Sequence, residues 1–209
     1  MSVQILLFVA ALAALVQGLS HAGHEGSSWA ATLVKTASVA LLALAGWLLG
    51  APGWIVVGLA FGAAGDFALA RPGQAAFLAG MAAFALGHLA YGAEFVTRIA
   101  GAPSMLALAV IGGMALLVGW TALWLAPWAG ALAWPVRAYG LVIGAMVAAA
   151  ALCGQTLLLV GSLIFAASDL ILALRLFVMR DPRRRLWAGR LLWPLYWGGQ
   201  ALILAGSLR

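Results

Sequence analysis

The sequence predicts an all-α, polytopic membrane protein with about eight transmembrane helices in a single domain, residues 1–209. Three observations carry that reading. Of the 209 residues, 66% are hydrophobic and only 8% charged, where a soluble domain carries about 25% charged residues. Mean hydropathy is +1.12. Apolar runs of roughly 18–24 residues follow one another along the chain, each able to cross a hydrocarbon core of ~30 Å. No strand pattern competes, and backbone in lipid must satisfy its own hydrogen bonds, which demands helices.

The first run, Met1 to Ser20, has a small-x-small site at Ser20-His21-Ala22 but no basic n-region, so it reads as a helix rather than a signal peptide. A polar loop follows, and its His21, His24 and Glu25 read as solvated residues rather than metal ligands. Helix two spans Trp29 to Gly50 and contains Lys35. Helix three spans Gly53 to Ala70 and carries Asp66. Arg71-Pro72-Gly73 makes a tight turn. Helix four runs from Gln74 to Thr97 with His88, Tyr91 and Glu94; Glu94 and Arg98 are spaced as a surface ion pair. Helix five covers Pro103 to Leu125. A Trp- and Pro-rich turn leads to helix six, Pro135 to Leu152, with Arg137 and Tyr139. Helix seven, Gln155 to Val178, carries Asp169. An arginine-rich loop from Arg180 to Arg190 precedes helix eight, Leu191 to Leu208, with Tyr196 and Gln200.

The net charge of +6 does not point to nucleic acid, because the basic residues collect at the ends of apolar runs. That is the positive-inside pattern. It puts the arginine-rich loops in the cytoplasm and both termini on the opposite side of a bacterial inner membrane. The single cysteine, Cys153, excludes an internal disulfide and a Cys-rich metal site. No cofactor is expected.

Two stretches stand out. Gly58 to Ala70 and Gly161 to Ala173 each place a glycine eight residues before an aspartate. A carboxylate in hydrocarbon is costly, so Asp66 and Asp169 are the first candidates for function. Their matched settings suggest one site built from two parallel helices and a 4+4 pseudo-repeat. By depth, Lys35, Tyr139, Tyr196, Gln200, His88 and Tyr91 can reach the same pocket. Gly46/Gly50, Gly58/Gly62 and Gly140/Gly144 are small-xxx-small pairs for close helix packing.

The ordered set of motifs resembles the YhhN-like lysoplasmalogenase family over nearly the whole chain. The motifs are Gly65-Asp66, Phe84-Ala85-Leu86-Gly87-His88-Leu89-Ala90-Tyr91, Pro135 through Tyr139 to Met146, Ser168-Asp169, and Tyr196 with Gln200. Lys35 matches a lysine that the family usually follows with proline; here Thr36 follows. The resemblance implies an integral-membrane hydrolase that cleaves the vinyl ether of a lysoplasmalogen, a lysophospholipid drawn from the bilayer. The products are a fatty aldehyde and a glycerophospho-ethanolamine or -choline. It implies a metal-independent reaction in which Asp66 and Asp169 are catalytic. His88, Tyr91, Tyr139, Ser168, Tyr196 and Gln200 support them, and Lys35 holds the headgroup. Such chemistry needs one neutral acid, one negative charge near a developing cation, and a positioned water. Two close carboxyls in low dielectric do not both ionise easily, which supplies the first two.

Two other readings stay open. A proton-coupled transporter would also use two buried aspartates. An intramembrane aspartyl protease would need a glycine where Ala63 stands and a tyrosine where Ser168 stands. Oligomeric state is not legible in the sequence.

Overall fold

The structure is a computed structural model describing residues 2–21 and 28–209. His24 and Glu25, and the side chain of His21, lie outside the described residues. Within them there are eight α-helical segments and no strand: α1 (Val3–Val16), α2 (Trp29–Leu48), α3 (Gly53–Leu69), α4 (Gln74–Thr97), α5 (Met105–Trp120), α6 (Ala133–Cys153), α7 (Thr156–Ala173) and α8 (Pro182–Ser207). Serines cap two of them. The Ser28 side chain accepts from Ala31 N at 3.1 Å, and Ser104 from Ala107 N at 3.1 Å. These bonds satisfy amides that a helix start leaves without partners.

α5 continues through a π turn and a 3-10 stretch into α6. The bend falls at Gly130, whose φ of 57° is open to glycine at little steric cost. α5 and α6 therefore fold back on each other. Five helical stretches are long and apolar enough to cross a membrane: Val3–Ser20, Trp29–Leu48, Gln74–Thr97, Met105–Cys153 and Thr156–Val178. α3 is apolar but shorter. Eight helical segments are present, but eight spans are not confirmed: among the described residues five stretches are long and apolar enough, α5 and α6 fall within one of them, and α3 and α8 do not qualify.

α8 also begins nine residues earlier than the hydropathy pattern suggests. Asp181 accepts from Arg183 N at 2.8 Å, and Pro182 occupies the first helical position. That is a strong helix start. Of the arginines expected in a loop, Arg183, Arg184, Arg185 and Arg190 lie within the first turns of α8.

The helices pack as neighbours in sequence, α1 on α2, α2 on α3, α3 on α4 and α7 on α8, while α4 also packs on α6. Trp193 of α8 donates its indole N–H to Ala14 O of α1 at 2.7 Å. Glu94 and Arg98 do more than form a surface pair. Glu94 is 8% exposed, and Arg98 bonds Glu94 at 2.9 Å, Gln155 at 3.3 Å and the Ser207 carbonyl at 2.9 Å. One guanidinium thereby ties together the ends of α4, α7 and α8.

Candidate active site

The two intramembrane carboxylates lie in a seam of two buried polar clusters inside the bundle. Asp66, on α3, is 1% exposed. Its Oδ1 is 2.9 Å from Lys35 Nζ on α2. Its Oδ2 accepts from the Tyr196 hydroxyl of α8 at 2.8 Å. Asp169, on α7, is 9% exposed. Its Oδ2 accepts from the Tyr139 hydroxyl of α6 at 3.0 Å. His88 Nε2, on α4, lies 3.1 Å from the same oxygen, out of line with the ring N–H direction. The other ring nitrogen, Nδ1, is 2.6 Å from the Phe84 carbonyl oxygen.

Each carboxylate therefore has two partners, one from its own half of the chain and one from the other. Lys35, expected to hold a headgroup, is instead paired with Asp66. Tyr91 donates to Gln200 Oε1 at 3.0 Å, joining α4 to α8. Both side chains are buried beside the seam. Ser168 turns away from it and donates to the Phe165 carbonyl at 2.7 Å, within its own helix.

Phe165 is the residue that sequence reasoning missed. Its ring lies 4.6 Å from His88, 5.3 Å from Tyr196 and 6.4 Å from Tyr91, centroid to centroid. It stands between the two carboxylate clusters as an apolar partition. The available signal was its position one helical turn before Asp169, on the same face.

One carboxylate opens onto space. A cleft of about 830 Å³, including its mouth, is walled by α4, α5, α6 and α7. Its lining includes Phe77, Met81, Met114, Leu117, Ile143, Ala166, Leu172 and Leu176. Among the described residues, the titratable groups on its wall are Asp169 and Tyr139, and Thr121 is the one other polar side chain. Asp66 and Lys35 do not reach it. Among the described residues no group of three or more His, Cys, Asp or Glu side chains is arranged to hold a metal ion.

An apolar cleft with one hydrogen-bonded carboxyl on its wall can hold an apolar ligand and orient it at a single polar point. No curated protein and no solved structure matches the chain. The YhhN family matches it over residues 30–207, which spans α3 to α8 in full, all of α2 but Trp29, and every polar residue of the seam. This chain is a membrane protein of the YhhN family.

Proposed function

We propose that the protein is a hydrolase that cleaves the vinyl ether of lysoplasmalogens to a fatty aldehyde and a glycerophospho-ethanolamine or -choline. The observation that carries this reading is the position of Asp169 on the wall of an otherwise apolar cleft. Vinyl ether cleavage begins with protonation of the β-carbon, which turns the ether into an oxocarbenium ion. A carboxyl group in a dry setting is suited to give that proton, and a nearby fixed anion lowers the energy of the cation. Water adds to the cation, and the hemiacetal collapses to aldehyde and alcohol. Asp169 is the acid, hydrogen-bonded by Tyr139. Asp66, 2.9 Å from Lys35 Nζ and hydrogen-bonded by Tyr196, stands behind Phe165 as the second carboxyl of the pair. The division of labour resembles that of the two carboxyls of glycosidases.

The size of the cleft supports the substrate class. Its walls run from Met114 on α5 to Leu125 on the π turn that follows it, and from Ala166 on α7 to Phe177 beyond it, about 16 Å at 1.5 Å per helical residue. Asp169 stands roughly 12 Å from the arginine-rich end by the same measure. A lysophospholipid fits with its phosphate at that end, where Arg137 follows the lining residue Val136. Its ether then lies beside Asp169 and its alkenyl chain beyond. The arginine-rich ends face the cytoplasm of an inner membrane, and both termini face the other side. Paired glycine crossings, α3 with α4 and α7 with α8, favour an origin by duplication of a four-helix unit.

The test is aldehyde release from lysoplasmenyl-ethanolamine by purified protein, with and without a chelator. Release should persist in chelator and fall about 10³-fold in Asp169→Asn, the range of a lost general acid. Asp66→Asn should lose less. Full release by Asp169→Asn would exclude this mechanism. No turnover by folded protein, with solute uptake into vesicles, would establish a transporter instead.

A further inference from the structure

With Lys35 paired to Asp66 at 2.9 Å, a phosphate at the cleft needs another cation. Arg137 is the arginine that meets the cleft wall. Val136, Tyr139 and Gly140 of the same helix line the cleft, and so does Thr121 on the π turn after α5. Arg137 Nε donates to the carbonyl oxygen of Ala122, the residue after Thr121, at 3.1 Å. Its guanidinium carbon lies 5.0 Å from the centre of the Trp134 ring. A carbonyl and a ring face thus hold the guanidinium at the seam between two walls of the cleft. Among the described residues, neither terminal nitrogen of Arg137 has a hydrogen-bond partner, and no carboxylate pairs with it. The other arginines stand differently. Arg71 is stacked on Trp29 at 3.9 Å, Arg98 holds Glu94, and Arg183, Arg184 and Arg190 are exposed on α8. The depth is also that of a headgroup: Trp120, Trp124, Trp128 and Trp134 are all exposed around the same turn. Exposed tryptophans of this kind mark the boundary between hydrocarbon and headgroups.

We propose that Arg137 binds the phosphate of the lipid in the cleft and makes the protein select alkenyl lipids that carry one. This rests on the vinyl ether reading of the cleft for the reactive bond, and adds to it a residue that sets specificity. A guanidinium presents a planar fork that matches two phosphate oxygens. The bond from Nε to Ala122 fixes the plane of that fork and leaves Nη1 and Nη2 to donate. Two residues further along α6, Tyr139 lines the cleft and donates to Asp169 at 3.0 Å. One rigid helix therefore carries both the phosphate ligand and the hydroxyl that orients the acid. In the substrate a single glycerol unit joins phosphate to ether, so a held phosphate sets the ether in register with Asp169. Arg137 touches the headgroup and not the reacting atoms, so its effect belongs in binding and the chemistry stays with Asp169. A neutral alkenylglycerol lacks the contact altogether.

Binding tests the site apart from the reaction. The probes are an alkyl lysophosphatidylethanolamine, which has no vinyl ether to cleave, and the matching alkylglycerol, titrated by calorimetry into purified protein in maltoside micelles. Arg137→Gln should weaken the phospholipid about 10- to 100-fold, the range of charge-assisted hydrogen bonds, and leave the alkylglycerol within about 3-fold. Arg137→Lys should fall between, because it keeps the charge and loses the fork. Arg184→Gln, at an exposed arginine of α8, should match wild type on both probes. In turnover, Arg137→Gln should raise KM for lysoplasmenyl-ethanolamine in the same proportion, with kcat within about 3-fold and alkenylglycerol unaffected. Equal losses on both probes would overturn the proposal and leave Arg137 as a tie between Ala122 and α6. Unchanged phospholipid binding in Arg137→Gln, or an equal loss in Arg184→Gln, would overturn it as well. So would a selectivity that vanishes when diacyl phosphatidylethanolamine is added, because Arg137 would then hold a bilayer lipid. Selective loss of the phospholipid in a protein that releases no aldehyde would uphold the phosphate site and remove the vinyl ether substrate.

Discussion

Lys35 and Asp66 depend on each other more than either depends on water. The carboxylate is 1% exposed and the lysine side chain 24%, with 2.9 Å between charges. Removing one partner of a buried pair strands the other, at a cost of about 3–5 kcal/mol. Lys35→Met strands the enclosed carboxylate with Tyr196 alone and should cost about 3 kcal/mol. Asp66→Asn should cost less, because the lysine can extend its ammonium group toward the membrane surface. The double variant Lys35→Met with Asp66→Asn should recover most of the loss. Denaturant unfolding of the four proteins in micelles gives the coupling energy. Additive losses would show that the two charges do not stabilise one another. The aspartates were legible in the sequence because a carboxylate in an apolar run demands a reason. Their partners Lys35, Tyr196, Tyr139 and His88 were legible as candidates by depth, but which carboxylate each one meets was not. Lys35 read equally well as a headgroup ligand, and Ser168 as a site residue, because hydropathy carries no information on which way a side chain turns.

The helices that bring these residues together cross at glycines. A Cβ on Gly87 would lie 3.0 Å from the Gly58 carbonyl oxygen, where α3 meets α4. A Cβ on Gly161 would lie 2.9 Å from the Gly199 carbonyl oxygen, where α7 meets α8. In each case the aspartate follows the first glycine by eight residues, so both carboxylates stand just over two turns beyond a close backbone contact. The spacing that marked the motif in the sequence is therefore the distance from a helix crossing to a site. Gly161→Ala forces backbone from backbone and should destabilise by about 1–3 kcal/mol. Gly112→Ala, on the open side of α5 where a Cβ meets nothing, should be neutral or stabilising by up to about 1 kcal/mol. Equal unfolding midpoints for the two would show that the crossing tolerates a methyl group. Most helix boundaries were legible for a similar local reason, since Pro52, Gly73 and Gly154 mark their ends. The start of α8 was missed because its arginines lower the hydropathy of a segment whose Asp181-Pro182 start is written plainly.

The cleft is a property of the whole molecule and had no sequence signature. It exists because α5 rests on α6 while its other faces stay open: Met105 is 81% exposed, Leu106 65% and Leu116 77%. The helices are apolar on nearly every face, so periodicity does not reveal that one of them stands away from the bundle. If this opening admits a lipid chain from the bilayer, then narrowing it should affect long substrates first. Gly140 lies on the wall, and a Cβ there meets only Thr121 Oγ1 at 3.8 Å. Leucine at that position extends into the cleft without striking backbone. Gly140→Leu should lower kcat/KM for a long-chain lysoplasmalogen about 10- to 100-fold, a loss of about 1.4–2.7 kcal/mol in transition-state binding. A short-chain vinyl ether, which needs only the space beside Asp169, should lose less than about 3-fold. Gly113→Leu, where a Cβ meets nothing, should match wild type on both. An equal loss on both substrates in Gly140→Leu would mean that Asp169 or Tyr139 had been displaced. No loss on either would mean that the alkenyl chain lies elsewhere.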